Sequence, residues 1–481
     1  MSDVLNIFSS LISDRLGATV MSLSPLAAAG GDRRYYRIVL DDARHVIGVV
    51  ADNLADAHAF VCLSKAFADV GVNVPRVLCH SRDFAFYVEE DLGDRDLLAA
   101  IRRNDPNLPD LVRASIDNLL KMQLTPSQVW MPHVAYKPFS PRLVMWDLNY
   151  FKYEFLRPLA LDFDEDRLQD DFESFCHSLC ATDHLLWGFM MRDCQSRNIM
   201  LHPDPCFIDF QGGRLGPCVY DVVSLLWQAR ARFSPDFRNA MLMYYAQNFA
   251  RLRQLDPSMI LECADRFALF RTLQVLGAYG FRGLVQKRAK FVESIPEALE
   301  NLAYLLDWGA VDGFPYLKSV LRRVVVCDKF SRPTDGRLHV KVFSFSYKRG
   351  YPEDLSGNGG GFMFDCRGMH NPGRYDEYKP LTGRDLPVIL FLKDRGEADV
   401  FVSRAVEMVA PTIDRYLKRG FSSLQIGFGC TGGRHRSVYC AENSAHVLAQ
   451  RFPDAIFEIV HREQDIRETL NEQSASTTPE I

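Results

Sequence analysis

The stretch Met190–Gly213 reads MMRDCQSRNIMLHPDPCFIDFQGG. In it Asp193 stands five residues before Asn198, and Asp209 follows eleven residues later. Each of these polar groups borders an apolar run. NIML, the turn HPDP and CFIDF read as a tight hairpin, which returns Asn198 and Asp209 to one end. Taken singly, Asp193 and Asn198 fit turn caps and Asp209 fits the close of a strand. Taken together and in order they do more. An amide oxygen and a carboxylate suit a hard divalent cation such as Mg2+, and a separate carboxylate can orient an acceptor hydroxyl and take its proton. Phosphoryl transfer needs that combination.

Working outward, the preceding sequence carries the parts such a site requires. ATVMSLSPL (Ala18–Leu26), RRYYRIVL (Arg33–Leu40), the acidic turn DDAR and HVIGVVA read as strands and hairpins. LADAHAFVCLSKAFADVG, from Leu54, has helical periodicity and a terminal Gly. FAFYVEEDLG is a strand running into a Gly-containing connection. From about Asp110 to Leu321 the pattern is mainly helical. A polar segment with Pro and Gly, CDKFSRPTDGR (Cys327–Arg337), then separates this part from the rest.

Beyond it, LHVKVFSFSYK and FMFDCRG read as strands around the Gly-rich loop LSGNGGG (Leu355–Gly361). A turn-rich segment, the helix EADVFVSRAVEMVAPTIDRYLKRG, the strand SLQIGFG, a loop and helix from Cys430, and the strand AIFEIVHR follow. Strands alternating with helices indicate a small α/β domain. We therefore expect a domain over 1–325, a linker over 326–338, a second domain over 339–465 and a disordered polar tail over 466–481. The loop FGCTGGRHRSV joins a strand to a helix start, where backbone N–H groups and the basic Arg434, His435 and Arg436 would cradle an anion.

The chain has 481 residues and a formal net charge of −5, so nothing in its overall charge argues for nucleic acid or an anionic membrane. Its twelve cysteines lack C-x-x-C pairs and sit mostly in apolar runs, as reduced thiols do. The start, MSDVLNIFSSLISDRLG, is an amphipathic helix rather than a signal peptide. No run reaches transmembrane length. These features give the expectation of a cytoplasmic protein with no membrane partner.

The block Met191-Arg192-Asp193 to Asn198 matches the kinase loop H-R-D-L-x-x-x-N with Met in place of His. With GGDRRYYRI, VEEDLGDRDLL, IDFQGG and YDVVSLLW, it makes residues from about 1 to 320 resemble the aminoglycoside phosphotransferase-like kinases. The amino-sugar kinase branch typified by AmgK is the nearest resemblance. It implies an α+β, bilobal protein-kinase-like fold and an ATP- and Mg2+-dependent kinase for an amino sugar such as N-acetylmuramate or N-acetylglucosamine. It also implies residue roles: Asp193 as catalytic base, Asn198 and Asp209 as metal ligands. Gly30 and Gly31 would let backbone amides approach phosphate, with Arg33 and Arg34 as phosphate contacts. The segment Val88–Asp91, including Glu89, Glu90 and Asp91, would form the adenine-binding hinge. Asp221 would brace the catalytic loop, and the acceptor would lie near PRLVMWDLNYFKYEF. HVIGVVADN carries no Lys for the phosphates, and LADAHAFVCLSKAF no partner Glu. That departure keeps open a nucleotide-regulated adaptor built on an inactive kinase fold.

In the second domain Cys430 and Arg436, followed by Ser437, have the Cys-x5-Arg spacing of protein tyrosine phosphatases, which leaves a thiolate nucleophile open. A longer resemblance covers about Val340 to Arg462. SFSYKRGYP, FMFDCRGMHNPGRYDEYKPLTGRDLPV and IGFGCTGGRHRSVYCAE resemble the C-terminal domain of the RNase adapter RapZ. It implies an α/β domain with an amino-sugar-phosphate pocket formed by Cys430, Thr431, Gly432, Gly433, Arg434, His435, Arg436 and Ser437, approached by Lys348, Arg367, His370 and Asn371. That family's P-loop domain is absent here, and its basic RNA-gripping end is replaced by EQDIRETLNEQSASTTPEI. RNA binding needs several cations acting together, so RNA is a partner supported by the resemblance alone. Self-association stays open.

Overall fold

The computed structural model describes residues 2–26, 33–327, 330, 336–352 and 361–471. The chain divides into two compact units: Met1–Val285 with Glu297–Val326, and Gln286–Pro296 with Cys327–Ile481.

The first unit begins with the helix Ser2–Leu16 and a five-stranded sheet in the order β1-β2-β3-β5-β4. Its strands are β1 (Val20–Pro25), β2 (Arg34–Leu40), β3 (His45–Val50), β4 (Val77–His80) and β5 (Phe86–Glu90), all paired antiparallel. Period-two alternation gives the sheet two distinct faces. Tyr36, Ile38 and Leu40 of β2, Val46 and Val50 of β3, and Val88 of β5 pack under Phe8 and Ile12 of the first helix. Each such fully buried large side chain contributes roughly 2–3 kcal/mol.

The opposite face carries Tyr35, Ile47, Val49, Tyr87 and Glu89, since Tyr35 pairs with Val49 and Val49 with Tyr87. It meets the helix Leu54–Asp69, whose start is capped by Asn53 accepting from the N–H groups of Ala55 and Asp56 at 3.1 and 3.2 Å. Phe60 of this helix stacks on Phe210 at 4.8 Å and meets Tyr87 at 5.5 Å. The sheet is thereby fastened to the segment that carries Asp209.

Two small hairpins follow. β6 (Trp187–Met190) pairs with β9 (Arg214–Pro217), and β7 (Ile199–His202) with β8 (Asp204–Phe207). The expected NIML–CFIDF hairpin is the second of these. Helices dominate the remainder, with Leu108–Leu124, Pro141–Phe151, Val219–Leu226 and Ser258–Tyr279 bearing on the site.

The second unit holds a mixed sheet in the order β11-β12-β10-β13-β14. β10 (His339–Ser346), β11 (Gly361–Asp365), β12 (Ser423–Cys430) and β13 (Ile456–His461) are parallel to one another. β12 is buried almost throughout, as a central parallel strand covered on both faces must be. The helices Leu386–Asp394, Glu397–Arg419 and Arg436–Arg451 belong to this unit.

One expectation is corrected at the end of the domain. The tail expected to be disordered from 466 begins as strand β14 (Ile466–Leu470), paired antiparallel to β13. Ile466, Glu468 and Leu470 alternate with Arg467 and Thr469, a pattern an edge strand can use despite its polarity. Residues 472–481 lie outside the described residues, as does most of the LSGNGGG loop. All twelve cysteines are free thiols. No helix among the described residues is long and apolar enough to cross a membrane.

Candidate active site and anion loop

The segment from Met191 to Asn198 is held by one buried carboxylate. Asp221 accepts from the backbone N–H of Met191 at 2.7 Å and of Arg192 at 2.9 Å, and from the Gln123 amide at 3.2 Å. Burial pushes the Asp221 carboxyl up to about 7, against the pull of the Met191 and Arg192 N–H groups. Arg192 adopts φ +73°, a left-handed conformation that a non-glycine residue holds only under constraint. Its guanidinium donates to buried Asp147 at 2.8 Å, which adds a second anchor. The Met at 191 is fully buried and takes part through its backbone.

With that loop fixed, Asp193 and Asn198 meet. The Asn198 amide nitrogen donates to the Asp193 carbonyl oxygen at 2.9 Å and to its Oδ2 at 3.3 Å. The nitrogen is thus occupied, which leaves the amide oxygen as the atom available to a cation. Gln195 donates to Asp193 Oδ1. The Ile208 N–H bonds to the Asn198 carbonyl at 2.9 Å, which brings Asp209 back beside Asn198 as the hairpin requires. Asp209 has φ +62° and a side chain that is 31% exposed. Among the described residues no three His, Cys, Asp or Glu side chains gather as a closed metal site. Two oxygen donors with nucleotide phosphates completing the sphere are what Mg2+ usually accepts, so the donor set fits that ion.

The two arginines of GGDRRYY go to different faces. Arg33 ion-pairs with Asp209. Arg34 lies on the exposed side, 3.8 Å from Asp52. Gly30 and Gly31 lie outside the described residues. The three acidic hinge residues also separate. Glu89 is buried on the cleft face of β5, and burial pushes its carboxyl up to about 8, opposed by Arg33. Glu90 accepts from the Arg76 N–H at 3.1 Å and ties β5 to β4. Asp91 is bonded by Arg37 at 2.6 and 2.9 Å, a forked contact that fixes the start of the connection.

Local motifs gave no sign of the groups on the other side of Asp193. Arg271, on the helix Ser258–Tyr279, lies 3.5 Å from Asp193 Oδ1 and donates to Gln274 at 2.6 Å and to the Tyr220 hydroxyl at 3.3 Å. Gln274 in turn donates to Asp147 at 3.1 Å. Arg197 stands 3.9 Å from Asp193 Oδ2. Nearby, the aromatics of PRLVMWDLNYFKYEF divide by helical face. Phe151 and Phe155 are core, whereas exposed Trp146 stacks on Tyr150 at 5.7 Å with planes 2° apart. Gly213 of IDFQGG is required by packing, because a Cβ there would lie 2.1 Å from the Phe189 ring.

In the second unit, the carboxyl ends of three parallel strands bring the anticipated anion residues to one edge. Ser346 pairs with Cys430, and Asp365 with Gly429. Cys430 is buried, and its sulfur receives the Gly433 N–H at 3.1 Å and lies 3.2 Å from Ser437 Oγ. Burial alone would raise this thiol, but the Ser437 hydroxyl and the N–H groups of Ser437, Arg434 and Gly433 hold it below the usual value. Gly433 has φ +64°, and a Cβ there would meet the Ser346 nitrogen at 2.8 Å. Thr431 and Gly432 are exposed at the loop crest.

Arg436 donates to the carbonyls of Arg367 and Met369, each at 2.9 Å, so it fastens the neighbouring loop. His435 bonds the Tyr378 carbonyl at 2.8 Å, and Arg434 the Pro380 carbonyl at 2.9 Å. Arg367 pairs with Asp365 and lies over Tyr347 at 4.2 Å. Asn371 caps the turn at Gly373, and His370 reaches the Tyr375 hydroxyl at 3.2 Å. Arg434, Lys348 and Arg367 are exposed, whereas Arg436 is buried.

Residues 23–255 match the phosphotransferase enzyme family, and residues 338–465 match the RapZ C-terminal domain. A nucleotide-binding protein of Xanthomonas axonopodis pv. citri is 38% identical over 146 residues, 30% of this chain and 49% of that protein. One from Paramagnetospirillum magneticum is 37% identical over 138 residues, 29% of this chain and 43% of that one. The chain thus spans about half the length, or less, of these curated relatives. Among solved structures, a putative aminoglycoside phosphotransferase of Ralstonia eutropha is similar at 12% identity and TM-score 0.46, covering 67% of this chain and 98% of that one. Plasmodium vivax ethanolamine kinase is similar at 13% identity and TM-score 0.43, covering 59% and 82%. The chain carries a domain of the phosphotransferase enzyme family over residues 23–255, followed by a RapZ C-terminal domain over residues 338–465.

Proposed function

We propose that the first unit is an ATP- and Mg2+-dependent kinase that phosphorylates a hydroxyl of an amino sugar, N-acetylmuramate or N-acetylglucosamine, in the cytoplasm. The observation that supports it best is the meeting of Asp193, Asn198 and Asp209 at one end of a hairpin. In this reading Asp193 accepts the proton of the acceptor hydroxyl, while Gln195 and Asn198 hold its carboxylate. Asn198 and Asp209 would hold the magnesium ion, which supplies charge neutralisation between the phosphates. Asp221 and the Arg192–Asp147 pair keep Asp193 aimed. Arg33 is the phosphate contact; Arg34, paired outward with Asp52, is the weaker candidate. The exposed Trp146–Tyr150 stack offers a surface for a sugar ring. Arg197 and Arg271 beside Asp193 favour an acidic sugar, and of the two candidates only N-acetylmuramate carries a carboxylate.

The second unit is proposed to bind the amino-sugar phosphate at the Cys430–Ser437 loop, with exposed Arg434, Lys348 and Arg367 as candidate cations. A single observation favours the adaptor reading instead: Arg33 engages Asp209, a residue that transfer would need for metal. One experiment separates the two, namely Mg2+-dependent transfer from ATP to each sugar by the wild-type chain and by Asp193→Asn. Transfer lost in the variant supports the kinase, and nucleotide binding without any transfer supports the adaptor.

A further inference from the structure

β3 presents Ile47 and Val49 on the sheet face that meets the helix Leu54–Asp69, which contains no Glu. The lysine–glutamate pair that kinases use to hold the nucleotide phosphates is therefore missing from its ordinary place. A different cation and a different carboxylate lie on the same face. Arg33 comes from the start of β2 and pairs with Asp209, 5.9 Å from the centre of the Tyr35 ring. Glu89 comes from β5, on the same sheet face as Tyr35 and Tyr87. It is only 8% exposed, and its Oε2 has no hydrogen-bond partner. An unpaired carboxyl oxygen in so dry a place costs stability unless some bound state supplies its partner. Arg33 stands over the Tyr35 ring, Tyr35 lies across Val49 from Tyr87, and Glu89 follows Tyr87 by two residues on the same face. Arg33 is the cation of that group.

We infer that Arg33 and Glu89 replace the missing pair: when a metal–nucleotide complex claims Asp209, Arg33 leaves it for the nucleotide phosphates, and Glu89 becomes the counter-ion that holds the guanidinium there. This rests on the kinase reading above. Glu89 is a positioning residue, acting on the nucleotide through Arg33. Arg33 on Asp209 is then the resting arrangement, displaced by the metal rather than blocking it.

The test is a double-mutant cycle on MgATP affinity in the full chain, using Arg33→Ala, Glu89→Gln and the double variant, with Arg33→Lys as a charge-retaining control. Each variant is checked by thermal unfolding. Charge-assisted contacts of this kind set the scale, so Arg33→Ala weakens MgATP binding by about 10- to 100-fold. Glu89→Gln, which keeps shape and loses charge, weakens it by about 5- to 10-fold. The double variant is no weaker than Arg33→Ala, since Glu89 has nothing left to hold, and Arg33→Lys keeps most of the affinity. Multiplying single effects, or an unchanged Glu89→Gln, would overturn the pair while leaving the kinase reading intact. A wild-type chain that binds no MgATP would overturn both.

Discussion

Replacing Asp221 with Ala removes the group on which the catalytic segment hangs. The carboxylate accepts the N–H of Met191 and of Arg192, at 2.7 and 2.9 Å, from a site with no solvent exposure. Alanine leaves both donors buried without an acceptor, at about 1–3 kcal/mol each. Part of that loss is offset, because keeping a charge there is itself unfavourable, as the carboxyl's rise to about 7 indicates. A net destabilisation of about 3 kcal/mol is expected, which lowers the melting temperature of the first unit by about 6–12 °C. The second consequence is positional. Arg192 holds φ +73° only while its N–H is anchored. Its relaxation would shift Asp193 by a fraction of an ångström to an ångström, and kcat falls by about 100-fold for an error of that size. The KM for ATP changes little, since Asp221 is buried under the loop and bonded only to protein groups. Calorimetric melting and steady-state transfer assays read both quantities. A melting temperature within 2 °C of wild type, the middle of this range being several times that, with kcat unaltered, would show that the loop is held by other contacts.

Two further outcomes follow from the geometry. Glu89 has a folded-state carboxyl raised to about 8 from 4.5, so the native state binds the extra proton. Its favourable contribution is complete below the unfolded value and is lost as pH rises towards 8. Chemical denaturation at pH 5, 7 and 9 should show Glu89→Gln gaining on wild type as pH rises; parallel curves would refute the assignment. In the second unit, Arg436→Ala releases the carbonyls of Arg367 and Met369 from the anion loop. Titration calorimetry should find amino-sugar-phosphate binding weaker by at least about 10-fold, in line with two lost charge-assisted bonds, with transfer by the first unit unchanged. Undiminished binding would remove Arg436 from any part in the pocket.

How much of this was legible beforehand depended on how local each feature is. Asp193, Asn198 and Asp209 flank the open end of one hairpin, so spacing and turn chemistry sufficed to bring them together. The two arginines of GGDRRYY look equivalent in sequence. Only the strand register shows that Arg33 enters the cleft while Arg34 faces Asp52. Glu89, Glu90 and Asp91 read as one acidic run, yet alternation across β5 gives one to the cleft, one to β4 and one to Arg37. Arg271 reaches Asp193 from a helix 78 residues further on, a long-range contact with no motif to announce it. Arg436 shows what spacing leaves out: its Nη1 donates to two protein carbonyls, while its Nε is buried without a partner. β14 was missed because its polar alternation resembles a solvated tail until a neighbouring strand offers its edge.

The most direct test of the account is ATP-dependent phosphorylation of N-acetylmuramate, N-acetylglucosamine and glucosamine by the full chain, run beside Asp193→Asn with and without Mg2+. Mg2+-dependent transfer to at least one sugar is expected, reduced in the variant by about 100- to 10,000-fold, the usual worth of a positioned base. The variant still binds ATP. Transfer that survives in Asp193→Asn, or ATP binding with no transfer to any of the three sugars, would contradict it.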